Sequence, residues 1–115
     1  MKTKVLLLVM LFTATVVMAQ LFPTALRITV IDKLGNVVEG AKVTLYGSEE
    51  DYRTEQNPVI PAQKTNDKGI VKFSGLEAQV YYVQAVFDDM DNSGLGTQTD
   101  TLKSGTSNRV NIVIE

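Results

Sequence analysis

Residues 25–47, ALRITVIDKLGNVVEGAKVTLYG, contain two alternating apolar segments with a turn between them. In the first segment Leu26, Ile28 and Val30 fall on one side, and the residues between them are polar. Side chains of a β-strand alternate between its two faces, so this spacing with β-branched residues predicts a half-buried strand. The same period returns over residues 41–46 and predicts a second strand.

The rest of the chain repeats this pattern and predicts an all-β protein. A seven-stranded antiparallel sandwich of two sheets is predicted, because short strands recur without any long amphipathic helix. Only Ser48, with Asp51 three residues later, predicts a short helix, in which Ser48 is the N-cap. The remaining strands are expected from Val59 to Thr65 at a sheet edge, around Val71 and Phe73, from Tyr81 to Phe87, from Thr97 to Leu102, and through Val110, Ile112 and Ile114. Phe73, Val83 and Ile112 are expected at the centre of the core.

Composition excludes several kinds of function. The 115 residues include no Cys and no His, which excludes a Ser/His/Asp triad, a Cys nucleophile, a thiolate or imidazole metal site and a disulfide. The formal charge of −2 disfavours a nucleic-acid-binding surface. We therefore expect a protein without enzyme activity and without a nucleic-acid partner.

The N-terminus has the order of a secretory signal peptide. Lys2 and Lys4 precede an apolar run, and Val17 and Ala19 are small residues suited to cleavage before Gln20. The alternative is a transmembrane anchor, but the run is shorter than the ~20 residues that a bilayer span needs. We expect residues 1–19 to be the signal peptide, 20–24 a short linker and 25–115 one domain. The mature chain is then exported to the periplasm or beyond, without a membrane span, and it is not a lipoprotein because Gln20 follows the cut.

An acidic loop near residue 90 has the spacing of a calcium site. Asp89, Asp91 and Ser93 occupy alternate positions, Gly94 is the sixth residue, and Asp100 is the twelfth. No helix is predicted beside the loop, so the alternative is an ordinary solvated hairpin loop. Calcium is the one cofactor that the sequence suggests.

Three tyrosines are candidates for stacking on a ligand. Tyr46 and Tyr82 point away from the core by strand alternation, and Tyr52 lies in the acidic segment after the second strand. Outward tyrosines also pack against each other across strands, which is the alternative interpretation.

A family resemblance follows from two runs taken together. Val30-Ile31-Asp32-Lys33-Leu34-Gly35-Asn36-Val37-Val38-Glu39-Gly40-Ala41-Lys42-Val43 and Thr65-Asn66-Asp67-Lys68-Gly69-Ile70-Val71-Lys72-Phe73 resemble the carboxypeptidase regulatory-like domain. The resemblance implies a prealbumin-like (transthyretin-like) sandwich with an Ig-like Greek-key arrangement, common in exported Bacteroidetes-type proteins. Gly40 and Gly69 lie at turns, and Asp67 is expected to accept hydrogen bonds from its own turn backbone.

The chain lacks the residues on which the activities of related families depend. The transthyretin-like hydrolases depend on an active-site His, which the chain lacks. Similar adhesin domains join a strand Lys to a late Asn beside an acid. Lys42 and Asn111 are the candidates for such a bond, but Gln84 stands where the acid is expected.

These observations predict a non-catalytic exported binding or structural module of the cell envelope. The predicted scaffold holds the segments 48–57 and 88–96 for contact with an envelope protein or a glycan. Two alternatives stay open: a carbohydrate-binding module and a calcium-stabilised structural domain. The oligomeric state is left open.

Overall fold

The computed structural model describes residues 22–115 as two packed β-sheets with one short helix. The predicted signal peptide and the start of the predicted linker lie outside the described residues. One sheet has the strand order β4-β1-β7 and the other β3-β2-β5-β6, so the predicted all-β sandwich is confirmed. The elements are β1 (Ala25–Asp32), β2 (Lys42–Tyr46), α1 (Glu49–Thr54), β3 (Gln63–Lys64), β4 (Ile70–Phe73), β5 (Tyr82–Phe87), β6 (Met90–Asp91) and β7 (Ser107–Ile114).

The sandwich is not purely antiparallel, and that part of the prediction is wrong. Strands β1 and β7 run parallel, in register from Ala25 opposite Ser107 to Asp32 opposite Ile114. Parallel neighbours need a long crossover between them. The chain supplies it by passing through the other sheet before β7 returns to β1.

The strands also differ from the predicted set near residues 90 and 100. The segment from Thr97 to Leu102 forms no strand; Gln98 makes one isolated bridge to Tyr82. The segment still lies beside β5: the Thr97 carbonyl accepts from the Val83 N–H at 2.7 Å, and the Thr99 hydroxyl accepts from the Tyr81 N–H at 3.0 Å. A two-residue strand, β6, forms instead within the predicted loop.

The predicted edge strand is confirmed in position but is much shorter than expected. Only Gln63–Lys64 is extended, at the edge beside β2. Pro58 and Pro61 precede it and lack the N–H that a longer strand would need.

The core lies between the sheets, and the predicted centre is confirmed. Phe73 and Val83 are fully buried, and Ile112 is buried with them. Other members of this cluster come from both sheets and include Leu26, Ile28, Val30, Val43, Leu45, Ala85 and Ile114.

Two turns of the same kind connect strands at one end of the sandwich. Asp32 accepts hydrogen bonds from the N–H groups of Leu34 and Asn36, both at 2.9 Å. Asn66 does the same for Lys68 at 2.9 Å and Ile70 at 3.0 Å. The expectation for Asp67 is therefore wrong: Asn66 is the first residue of the turn, and only that position lets a side-chain oxygen reach both N–H groups.

Thr65 fixes the start of β2 to the segment before β4. Its hydroxyl donates to the carbonyl of Val38 at 2.6 Å and accepts from the N–H of Ala41 at 2.9 Å. Gly69 lies nearby with φ +73°, and a Cβ there would come within 2.9 Å of the Val30 carbonyl. Thr65 and Gly69 both belong to the second run of the family resemblance.

The two sheets meet along one side at the C-terminus. Asp91 and Glu115 exchange backbone hydrogen bonds of 3.2 and 3.0 Å, which link β6 to the end of β7. In the described part of the chain, no helix is long and apolar enough to cross a membrane.

Replacing Phe73 with Ala tests the position of the core. We expect Phe73→Ala to lower the free energy of unfolding by about 3–5 kcal/mol, because a fully buried ring leaves a cavity. Urea unfolding measures the change, and the exposed Phe22→Ala provides the control, with an expected change within about 0.5 kcal/mol. A loss below about 1 kcal/mol for Phe73→Ala would contradict the observed packing.

Candidate functional site

The outer face of the four-stranded sheet carries the predicted ligand-stacking residues. In β2, Val43 and Leu45 point into the core, so Thr44 and Tyr46 lie on the opposite face. Tyr82 of β5 is the register partner of Tyr46, and residues directly opposite each other share a face. The sequence therefore assigned Tyr46 and Tyr82 to the correct side of the sheet.

Helix α1 packs against this face, and the predicted N-cap is confirmed. The Ser48 hydroxyl accepts a hydrogen bond from the Asp51 N–H at 3.1 Å. Three acids occupy the first turn, where the helix dipole stabilises negative charge. Glu55 ends the helix with φ 54° and hydrogen-bonds through its side chain to Gln84 of β5. The helix is thereby held on the sheet at its C-terminal end.

Tyr46, Tyr52 and Tyr82 form what we call the tyrosine cluster. The rings of Tyr46 and Tyr52 meet edge to face, with centroids 6.0 Å apart and an interplanar angle of 80°. The expected exposure of Tyr46 is wrong, since only 3% of the residue is accessible. The face is covered by α1, which strand alternation alone does not reveal. Tyr52 and Tyr82 remain half-buried, so stacking on a ligand stays a prediction for those two rings.

The cluster brings the acidic helix segment close to the acidic loop. Burial raises the pKa of Tyr52 above its usual value of 10.0, and the negative charge of Asp91 raises it further, while a hydrogen bond with Thr97 lowers it. Burial likewise raises the pKa of Tyr46, followed by the charge of Glu55. Asp91 and Glu55 come from different segments of the chain, and both act on Tyr52. Strand β5 contacts both predicted contact segments, since it pairs with β6 and hydrogen-bonds through Gln84 to Glu55 at the end of α1.

Asn92, which sequence reasoning missed, organises the acidic loop. The side chain is buried; its amide donates to the carbonyls of Val83 at 2.8 Å and Gly96 at 3.2 Å. Its oxygen accepts from the N–H of Ala85 at 3.0 Å. Nothing in the local sequence separates Asn92 from a solvent-facing loop residue, because its partners depend on where β5 lies.

The carboxylates proposed for calcium make few contacts with one another. Asp91 accepts a hydrogen bond from the Ser93 N–H at 2.9 Å, which is the main cause of its lowered pKa. Asp89 and Asp100 are exposed. Within residues 22–115 no group of three or more Asp, Glu, His or Cys side chains is arranged to hold a metal ion. Calcium binding by Asp89, Asp91, Ser93 and Asp100 stays a prediction.

Two shallow depressions lie away from the tyrosine cluster. One, of about 170 Å³, lies between residues 99–103 and β7, with Lys103 and Arg109 in its wall. The other, of about 290 Å³, is formed by Leu34, Met90 and Ile114 with charged residues around it.

Comparison with known proteins relates the chain to others through its fold. The chain matches no protein-family model and no curated protein. Among solved structures it resembles the Bacillus anthracis TIE protein (TM-score 0.56, 16% identity, 81% of this chain and 17% of that one). It also resembles BcpA, the major pilin subunit of Bacillus cereus (TM-score 0.55, 16% identity, 81% of this chain and 30% of that one). The chain therefore shares a β-sandwich fold with domains that make up less than a third of these larger proteins.

The raised tyrosine pKa values predict that stability falls in alkali. An unfolded tyrosine ionises near pH 10, whereas Tyr46 and Tyr52 stay neutral to higher pH in the folded protein. The unfolded state therefore releases protons first, and the free energy of unfolding decreases as the pH rises above about 10. Phenolate absorbance of the native and the urea-unfolded protein measures the difference, and Tyr52→Phe should reduce it. Identical titration curves for the two states would contradict the burial of this cluster.

Calcium binding can be tested by thermal unfolding. A site that holds calcium only in the folded protein raises the melting temperature when the ion is added. The four-residue calcium hypothesis predicts such a rise in millimolar calcium, its loss in Asp89→Asn/Asp91→Asn, and no rise in magnesium. An unchanged melting temperature removes the hypothesis.

Proposed function

We propose that the protein is a non-catalytic, exported structural or binding module of the cell envelope. It contacts another protein through a surface that we call the contact surface, formed by residues 48–57 and 88–96. The observation that carries this proposal is the packing of α1 on the sheet: Tyr52 meets Tyr46 edge to face, and Glu55 hydrogen-bonds to Gln84 of β5, the strand that pairs with β6 of the acidic loop. Two loops from distant parts of the sequence are thus combined on one side of a rigid scaffold, which is how many sandwich domains present a binding surface.

The hydrogen bonding of the interior supports a structural role. Every buried side-chain nitrogen and oxygen in residues 22–115 has a hydrogen-bond partner within the protein. Asp32 and Asp91, whose pKa values are lowered, owe the shifts mainly to turn hydrogen bonds. Catalytic acids and bases instead tend to have pKa values shifted by desolvation and by charged neighbours in a cleft.

The finer assignment follows from the sequence resemblance. We propose a carboxypeptidase regulatory-like domain of the prealbumin-like type, exported by the leader of residues 1–19 from a Bacteroidetes-type cell. The contacts of Thr65 and the positive φ of Gly40 and Gly69 support the assignment, since these residues carry the two matched runs. BcpA is a major pilin subunit, and a comparable structural role at the cell surface is part of the proposal.

A carbohydrate-binding module is the second candidate. Tyr52 and Tyr82 are half-buried beside Gln84, and aromatic rings with nearby amides are common partners of sugar rings. In this case a glycan array should show a ligand whose binding is lost in Tyr52→Ala. Absence of any bound glycan ends this candidate.

Site-specific crosslinking in cells tests the first candidate. The natural chain has no Cys, so a single introduced Cys directs a crosslinker to one place. We expect Arg53→Cys, on the exposed face of α1, to yield a crosslinked product with another protein chain. Lys68→Cys, in the exposed turn before β4, is the matched control and should yield none. Equal products from both positions, or none from Arg53→Cys, would contradict the proposed contact surface.

A further inference from the structure

Three cations stand side by side across the three-stranded sheet. Arg27 of β1 has Lys72 of β4 as its register partner on one side and Arg109 of β7 on the other. Neighbouring strands lie about 4.8 Å apart, so the three residues form a straight row about 10 Å long. We call this set the cationic row.

The cationic row faces outward. Leu26 and Ile28, the neighbours of Arg27 in β1, are buried in the core, so Arg27 lies on the other face. Lys72 and Arg109 share that face as its register partners, and both are exposed. Strand alternation and register give the other residues of this face, among which there is no carboxylate: Thr29 and Ile31, Ile70, and Ser107, Asn111 and Val113, with Ala25 buried at the end of β1. At the β7 side, Asp100 and Lys103 line the same depression as Arg109.

The cationic row does not stabilise the folded protein. Like charges directly opposite each other on neighbouring strands destabilise a sheet. The chain as a whole carries a formal charge of −2, so a general excess of Lys and Arg does not account for the row. A row of cations on a sheet face whose strands carry no outward carboxylate therefore favours an external anionic partner.

The opposite side of the same molecule carries complementary charge. Helix α1 lies on the outer face of the other sheet, with Glu49, Glu50 and Asp51 in its first turn. Glu49 and Glu50 are exposed, and Glu55 follows at the end of the helix. The two sheets pack face to face, so their outer faces lie on opposite sides of the sandwich. This side also carries cations, Lys42 and Lys64 at the β2–β3 edge and Arg53 in the last turn of α1. The first turn of α1 holds only acids, and it is the part of this side that complements the cationic row.

We propose that the cationic row binds the acidic first turn of α1 of a second copy of this chain. The interface joins two different surfaces, so a bound pair leaves one free cationic row and one free acidic turn. An open linear array results unless the rotation closes a ring. The proposal rests on the proposed function, because α1 belongs to the contact surface, and it identifies the protein partner as a second copy.

Sedimentation velocity of the purified protein, expressed from the full sequence, measures this association. We expect concentration-dependent oligomers in dilute buffer that dissociate as salt is added, since exposed charges are screened within about 10 Å at 0.1 M salt. Lys72→Glu/Arg109→Glu and Glu49→Lys/Glu50→Lys should each weaken self-association about tenfold or more. The matched control is Lys33→Glu/Lys68→Glu, which makes the same charge change in exposed turns and should still associate.

A mixture of the two charge-reversed variants gives the decisive result. The reversed row of the first variant fits the reversed helix of the second, and the unreversed surfaces of the two variants fit each other. An equimolar mixture should therefore associate although each variant alone does not. This rescue cannot come from misfolding, which would persist in the mixture.

Two results would overturn the proposal. The first is a monomer at every concentration in dilute buffer, or a mixture that stays monomeric. The second is a monomer that is retained on a heparin column, when the Lys72→Glu/Arg109→Glu variant is not retained. That result would assign the row to an anionic polysaccharide. In either case, a heterologous protein crosslinked through Arg53→Cys would leave the proposed function standing while this inference fails.

Discussion

Strand β1 lies between β4 and β7, and its parallel pairing with β7 holds the first and last strands of the described domain side by side. Every residue of β1 has a register partner in β7. The three-stranded sheet is therefore complete only when the last strand of the chain reaches the first. Because the chain has no Cys, such packing and hydrogen bonding must hold the fold together without disulfides. The link between Asp91 and Glu115 depends on the same pairing, since it continues from the end of β7.

The sequence predicts those features that repeat locally and fails for those that depend on distant strands. The alternation of apolar and polar residues identified Phe73 and Val83 as buried. Ser48 correctly predicted the start of the helix. The parallel pairing was missed because alternation defines a strand's faces but not its neighbour or direction. Asn92 and the covering of Tyr46 were missed for another reason: their partners are near in sequence, but strand alternation does not show that the loop folds back on β5 or that α1 packs on the sheet.

The two outer faces of the sandwich differ in chemistry. One is covered by α1 and the tyrosine cluster and gathers acids from two segments, whereas the other has no helix packed on it and carries the cationic row. Each face is built from alternate positions of strands whose other positions form the core, so the packing that stabilises the fold also fixes the spacing of the charges. In the proposed function, the module acts by holding these charges and rings at fixed distances for a partner.

Hydrogen exchange measured residue by residue tests the pairing on which this account depends. The amides at the centres of β1 and β7 that bond between these strands should be among the slowest in the protein and should exchange with one common free energy of opening. Exchange of the β7 amides at the rate of the exposed turns, while those of β2 and β5 stay protected, would contradict the account. The last strand would then not be part of the folded sandwich, and the cationic row would lose Arg109 from its place.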